Sequence, residues 1–398
     1  LVTKNNQVLL EKGYGLANRE ANIPNTPATK FMIASVSKQF TAACILQLVE
    51  AGKLSLDDKL NKFSSTFPRA NEVTIHMLLN HTSGIKNYTD QKFFEINAGA
   101  QSFSKEAMVA YIQRLGYDFE PGAKFSYSNT GYVLLGWIIE QVSGMPYSKY
   151  VQAHIFDKLG MKNSGCSVLG KLADGAKGYS KEVVAGDELC REWEFAAGGL
   201  YATVGDLYKW DRALYGNTLL SDASKQKMFN PGQENYGYGF GIYEVAKHRC
   251  IGHSGGLPGF STNISRFVDD DVCIVVLSNN EFSADMVAEN LASILFDAPV
   301  YKQPTEVKLD AALLDRYVGK YVSAQFGVLE FVKKNDKLYS FMASQPDALA
   351  EPKPESATKF FLDFDVRNGL EFELDAAGKP TKAWRCFKGE RVEELQKQ

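Results

Sequence analysis

Ser35 and Lys38 stand three residues apart at the head of an apolar run that continues from Phe31 to Gly52. On a helix, residues three apart share a face, so the Lys38 amine can approach the Ser35 hydroxyl. Between Phe40 and Val49 only Thr41 and Gln47 interrupt the apolar residues, which predicts a buried helix closed by Gly52. Burial favours the neutral lysine, the form that takes a proton, so the pair reads as a nucleophile with its base. The unpaired N–H groups at a helix start would face a developing oxyanion. The plainer reading of Ser35 is an N-cap serine.

The S-x-x-K spacing occurs four times, at Ser35/Lys38, Ser102/Lys105, Ser224/Lys227 and Ser356/Lys359. Ser102 and Ser224 lie in polar stretches and Ser356 follows Pro352-Lys353-Pro354-Glu355, all of which read as solvated caps and loops. Only Ser35 opens a helix that must be buried, where a lysine is costly unless used or paired.

Two other segments carry groups that acyl transfer needs: Tyr127-Ser128-Asn129, and Gly252-His253-Ser254-Gly255-Gly256 at a strand end. A second Y-x-N, Tyr215-Gly216-Asn217, reads as a turn at a helix end. Ser254 and the two glycines fit a turn or bulge, but glycines also let a substrate backbone lie against the strand, and that reading is preferred. Amide or ester hydrolysis through an acyl-enzyme needs a nucleophile, a proton acceptor, a leaving-group acid and oxyanion donors. All four are available here, and no metal or organic cofactor is implied. His76 and His81 read as structural.

The elements that must hold these groups begin with a hairpin, Leu1–Lys4 and Gln7–Gly15, turning at Asn5-Asn6. Helices are expected over 74–84, ending at a Ser-Gly turn, over 104–115 and over 132–142, with the tyrosine-bearing segment as a polar loop before the last. Residues 144–190 read as an irregular excursion. Thr203 and Asp206 form a capping-box-like start to an amphipathic helix. Strands are expected at 238–245, 249–253, 262–268 and 272–278, then a helix over 284–296. Beyond a linker at 299–304, short strands at 317–322, 328–333, 338–342, 359–364, 370–374 and 382–387, with turn signals at Asn335-Asp336, Asn368-Gly369 and Ala377-Gly378, predict an antiparallel meander or small closed barrel.

The whole chain, 398 residues with 45% hydrophobic and 12% aromatic content, allows two or three domains with real cores. With 44 basic and 47 acidic residues and no basic run interleaved with aromatics, nucleic acid is not an expected partner; a small molecule or short peptide is. No apolar run approaches the ~20 residues of a membrane span. Six scattered cysteines indicate neither a zinc site nor a disulfide framework, and any signal peptide would lie upstream of Leu1. Oligomeric state is not legible.

In combination and order, Ser35-Val36-Ser37-Lys38, Tyr127-Ser128-Asn129 and His253-Ser254-Gly255, with Leu78-Leu79-Asn80-His81-Thr82-Ser83-Gly84-Ile85 and Gly198-Gly199-Leu200-Tyr201-Ala202-Thr203, resemble the penicillin-recognising serine hydrolases. The likeness is to their class C beta-lactamase-like branch of D-aminopeptidases, D,D-carboxypeptidases and esterases. It covers about residues 1–297 and implies an α+β domain, 1–298, with an antiparallel sheet flanked by helices. It further implies an acylated Ser35, proton transfers shared by Lys38 and Tyr127, Asn129 bonded to the substrate amide, and the N–H groups of Ser35 and Gly256 as oxyanion hole. His253, Gly255 and Gly256 fall on the substrate-binding strand. Residues 305–398 resemble the lipocalin-like barrel of some D-aminopeptidase-type relatives. The family's S-D-N motif is Tyr127-Ser128-Asn129 here, and His253 replaces the lysine of K-T-G. That departure implies a peptidase or esterase more than a dedicated beta-lactamase, and an extracytoplasmic setting. A charged His253 would attract a substrate carboxylate, with activity falling as pH rises through its pKa. The rival readings are an esterase or acyltransferase on small esters, a weak beta-lactamase, and a penicillin-binding module without turnover.

Overall fold

The Asn5-Asn6 pair makes the hairpin turn it predicts, with φ of 50° and 59° joining β1 (Val2–Lys4) to β2 (Gln7–Leu10). The computed structural model describes residues 1–89, 105–167, 172, 174–180, 184–185, 193–343, 349–362 and 365–398. Ser102, the expected helix start at Ser104, Cys190 and the expected strand end at 363–364 lie outside the described residues. The chain divides into two compact units, Leu1–Ala298 and Pro299–Gln398.

In the first unit, helix α1 (Ser37–Glu50) is buried nearly all round, as its apolar sequence requires. Gly52, at φ +67°, closes it: the Gly52 N–H donates to the Val49 carbonyl and the Lys53 N–H to the Leu48 carbonyl, each at 3.0 Å. The expected helix does not extend back to Phe31. Phe31–Met32 is a strand paired with Leu200–Ala202, and Ala34–Val36 is a 3-10 turn entered through Ala34 at φ +49°. A left-handed alanine cannot continue a helix, so Ser35 sits on the turn before α1.

Helix α2 (Ile75–Leu79) is capped by Thr74, whose hydroxyl accepts the Met77 N–H, and stops five residues before Gly84. Another helix spans Lys105–Leu115. Helix α3 (Asn129–Ser143) starts three residues earlier than expected, with Ser128 at its N-cap position, so Asn129 is a helix residue and not a loop residue. The strands β3 (Gly241–Val245), β4 (His248–Leu257), β5 (Phe260–Phe267) and β6 (Val272–Ser278) are followed by α4 (Ala284–Leu295). They form an antiparallel sheet in the order β3-β4-β5-β6-β1-β2. Alternation sends Ile251, Ile264, Cys273 and Val275 into the large core with α1 and α3, while Cys250, Phe267, Val272 and Ile274 pack with Ala288 and Ala292 of α4.

The second unit is an eight-stranded antiparallel sheet built from β7 (Gly319–Ser323), β8 (Gly327–Lys334), β9 (Lys337–Met342), β10 (Pro352–Pro354), β11 (Lys359–Leu362), β12 (Asp365–Leu374), β13 (Pro380–Phe387) and β14 (Glu390–Lys397). The order is β9-β8-β7-β14-β13-β12-β11-β10, and a bridge between Ser340 and Ala350 brings its two edges together, making a nearly closed barrel. Tyr317, Tyr321, Phe331, Phe360 and Phe372 fill its core. Two strands escape sequence reading. β10 is proline-bounded, and β14 is mostly charged and sends Leu395 into the core. Asn368-Gly369, expected as a turn, lies inside β12; a side chain on Gly369 would come within 2.7 Å of the Phe360 carbonyl oxygen, so this glycine serves a close strand approach.

Candidate active site

Lys38 is 0% exposed, and its Nζ has three partners: Ser35 Oγ at 2.9 Å, Asn129 Oδ1 at 2.8 Å and the Ala197 carbonyl at 2.7 Å. Burial holds the amine well below the usual lysine range. Two of the partners can only accept hydrogen bonds. A neutral amine therefore spends its two N–H groups on Asn129 and Ala197 and turns its lone pair toward the Ser35 O–H. That arrangement is a serine poised for deprotonation.

The wall that supplies the Ala197 carbonyl is stitched to the start of α1. The Leu200 N–H donates to Ser37 Oγ, the Ile33 N–H donates to the Leu200 carbonyl, and Thr41 Oγ1 donates to the Ala196 carbonyl. Two of the other S-x-x-K spacings differ. Ser224 is not a solvated cap: it is buried inside the helix Asp222–Met228, whose N-cap is Ser221. Ser356 accepts the Thr358 and Lys359 N–H groups in a local turn. Tyr215-Gly216-Asn217 is a turn whose Gly216 carbonyl and Asn217 Oδ1 accept from Lys225.

Tyr127 lies with its ring centroid 5.0 Å from Lys38 Nζ. Among the described residues, its buried hydroxyl has no hydrogen-bond partner. Burial raises its pKa, opposed by the neighbouring Ser35 hydroxyl, so the phenol is protonated at neutral pH and available as an acid. Asn129 is tied at both ends of its amide, accepting from Lys38 and donating from Nδ2 to Thr89 Oγ1 at 3.1 Å, while its backbone N–H donates to Asn87 Oδ1 at 3.0 Å. Asn87 and Thr89 escaped the sequence reading because nothing in their local pattern marks them.

His253 is buried, and both of its ring nitrogens are engaged. Nδ1 contacts the Ser254 carbonyl, which can only accept, so the proton sits there and Nε2 accepts from the Tyr236 hydroxyl at 2.8 Å. Burial first, and the Lys38 amine when charged, push its pKa down to about 4. The expectation of a cationic His253 that holds a substrate carboxylate is therefore corrected: it is a neutral, bonded imidazole near pH 7. Gly255 runs hard against the Ser35 turn, where a side chain would meet the Ile33 carbonyl oxygen and Thr262 Oγ1 at 2.4 Å, whereas a side chain on Gly256 would enter open space. Beyond Gly252, among the described residues, no strand pairs with this edge of β4 in place of β3. Ser35, Lys38, Tyr127 and Asn129 are thus brought together, with His253 and Gly255 packed around them.

Residues 1–298 match the family described as Beta-lactamase. This chain belongs to the beta-lactamase family. It is 33% identical to penicillin-binding protein 4* of Bacillus subtilis (strain 168) over 397 residues, covering 91% of this chain and 87% of that protein. The octameric penicillin-binding protein homologue from Pyrococcus abyssi matches with a TM-score of 0.68 at 28% identity, over 99% of this chain and 94% of that one. A D-stereospecific amidohydrolase from Streptomyces sp. matches with a TM-score of 0.61 at 27% identity, over 68% and 88%. The resemblance read from the motifs holds, and this beta-lactamase family member is a serine hydrolase of the penicillin-recognising, class C-like branch. Among the described residues, no helix of this family member is long and apolar enough to cross a membrane.

Proposed function

We propose that the chain hydrolyses amides of D-amino acids or short D-peptides through an acyl-enzyme on Ser35, working at the amino-terminal side of the bond as an aminopeptidase or amidase. The observation that carries the acyl-enzyme is the three-way bonding of Lys38, which leaves its lone pair for the Ser35 proton. Ser35 Oγ attacks the carbonyl carbon, its proton passes to Lys38, and the carbonyl electron pair moves to the oxygen, beside the N–H groups of Ser35 and Gly256. Collapse breaks the C–N bond, and the leaving nitrogen takes a proton from Tyr127, which Lys38 replenishes. Water then repeats the sequence on the ester and frees Ser35. Asn129, fixed by Lys38 and Thr89, orients the substrate amide.

The name of the Streptomyces relative, a D-stereospecific amidohydrolase, supports D-configured substrates. A neutral His253 offers no cation for a terminal carboxylate, which favours an amidase over a D,D-carboxypeptidase. The same observation favours a second reading, an esterase on uncharged small esters. In this proposal residues 1–298 carry the chemistry, residues 305–398 form an accessory lipocalin-like barrel, and the enzyme works outside the cytoplasm. A panel of D- and L-aminoacyl p-nitroanilides, D-alanyl-D-alanine peptides, p-nitrophenyl esters and a chromogenic cephalosporin tests the substrate class. Preference for D-aminoacyl anilides, lost in Ser35→Ala, supports it; turnover of esters alone favours the second reading, and faster turnover of peptides with a free carboxylate than of their amides overturns the role given to His253.

A further inference from the structure

His81 has an unusual placement for a residue outside the reacting set. It is 2% exposed and held at φ +60°, in the left-handed region. Its carbonyl accepts the Ser126 N–H at 2.9 Å, and its Nδ1 accepts the Ser128 N–H at 3.1 Å. Its ring lies against the Tyr127 ring, with centroids 4.3 Å apart and planes at 38°. One residue thus grips the chain immediately before and after Tyr127 and stacks on the face between.

We propose that His81 is a positioning residue that sets the Tyr127 hydroxyl over Ser35 and Lys38. The inference rests on the acyl-enzyme reading, in which Tyr127 moves a proton. Accepting from Ser128 requires the lone pair on Nδ1, so the ring proton sits on Nε2, which has no hydrogen-bond partner among the described residues. Burial keeps the imidazole neutral, and that preserves the acceptor. A residue present only to fill the core would not need an acceptor there, nor a left-handed conformation that side-chain-bearing residues rarely adopt. Both bonds flank Tyr127, and His81 touches neither Ser35 nor Lys38 through a hydrogen bond.

The test compares His81→Gly, which accepts the positive φ but lacks the ring, with His81→Asn, which also accepts it and offers Oδ1 to the Ser128 N–H. The readouts are kcat and KM on the best chromogenic substrate and the rate at which a fluorophosphonate labels Ser35. His81→Gly should lose about 10- to 100-fold in kcat with KM within about threefold, the cost of a reacting group misplaced by about an ångström. His81→Asn should recover most of that loss. In a Tyr127→Phe background neither change should slow labelling further, because the group being positioned is gone. Wild-type kcat in His81→Gly, an equal loss in both backgrounds, or a His81→Asn as impaired as Tyr127→Phe would each overturn the proposal. The last outcome decides even if His81→Gly does not fold. A wild-type protein that is not labelled at Ser35 would instead remove the acyl-enzyme reading itself.

Discussion

Lys38 and His253 are both buried bases, and burial lowers the pKa of each. In the proposed mechanism the neutral Lys38 is the reactive form, so Ser35→Ala and Lys38→Ala should each lower kcat/KM by about 10³-fold or more while leaving the thermal midpoint high, as measured by turnover beside calorimetry. An active Ser35→Ala would place the nucleophile elsewhere. For His253 the consequence is a pH dependence of stability. Its folded pKa, about 4, lies below the unfolded value near ~6.5, so between those values the unfolded chain binds more protons. The stabilisation from burying it neutral is complete above about pH 6.5 and is lost as pH falls toward 4, a change of roughly 3 kcal/mol. Denaturant melts of wild type and His253→Gln at pH 7 and pH 4.5 check this: the wild type should lose more stability than the variant. On the same grounds, kcat/KM on a substrate with a free carboxylate should show no loss between pH 6 and 8, and a descending limb near ~6.5 on that substrate, absent on its uncharged amide, would restore the cationic His253 that the sequence suggested.

At the scale of elements, the site is made where β4 meets the turn that carries Ser35. Gly255 lets the strand approach the Ile33 carbonyl, so Gly255→Ala should push strand and turn apart, lowering kcat/KM by more than about tenfold and the melting temperature by several degrees. Gly256 faces open space, and Gly256→Ala should leave the melting temperature within about a degree of wild type, read by differential scanning fluorimetry. Equal effects would mean that the contact at Gly255 is not what sets the spacing. Elements with strong local signals were legible in sequence: the Asn5-Asn6 hairpin, the helix closed by Gly52, the Thr203 cap, and the strand Val272–Ser278 to the residue. Where tertiary contacts decided, local reading failed. Phe31–Met32 is apolar enough for a helix but is drawn into a strand by Leu200–Ala202, and the charged Glu390–Lys397 is a strand because both neighbours in the sheet pair with it.

The whole molecule consists of two units with cores of their own, the first carrying every group of the proposed site and the second a barrel filled with aromatic side chains. A chain cut between Ala298 and Pro299 should yield a first fragment that still reacts with a fluorophosphonate at Ser35, with kcat/KM on extended substrates changed more than on minimal ones. Gel-based labelling and the substrate panel measure this, and a fragment that only aggregates would show that the two units depend on each other for folding. The sequence by itself put forward Ser35, Lys38 and Tyr127 as the proposed reacting groups, because only Ser35 opens a helix that must be buried and the other motifs follow it in order. It also determined the break in texture near residue 300. Only the tertiary structure shows that the Ser35/Lys38 pair has its amine on its hydroxyl, because that depends on Asn129 and Ala197, 91 and 159 residues away, taking the other two hydrogens. It decided the charge of His253 as well, since a side-chain pKa follows burial and partners, and these are set by Tyr236 and the fold of β4 rather than by neighbours in the chain.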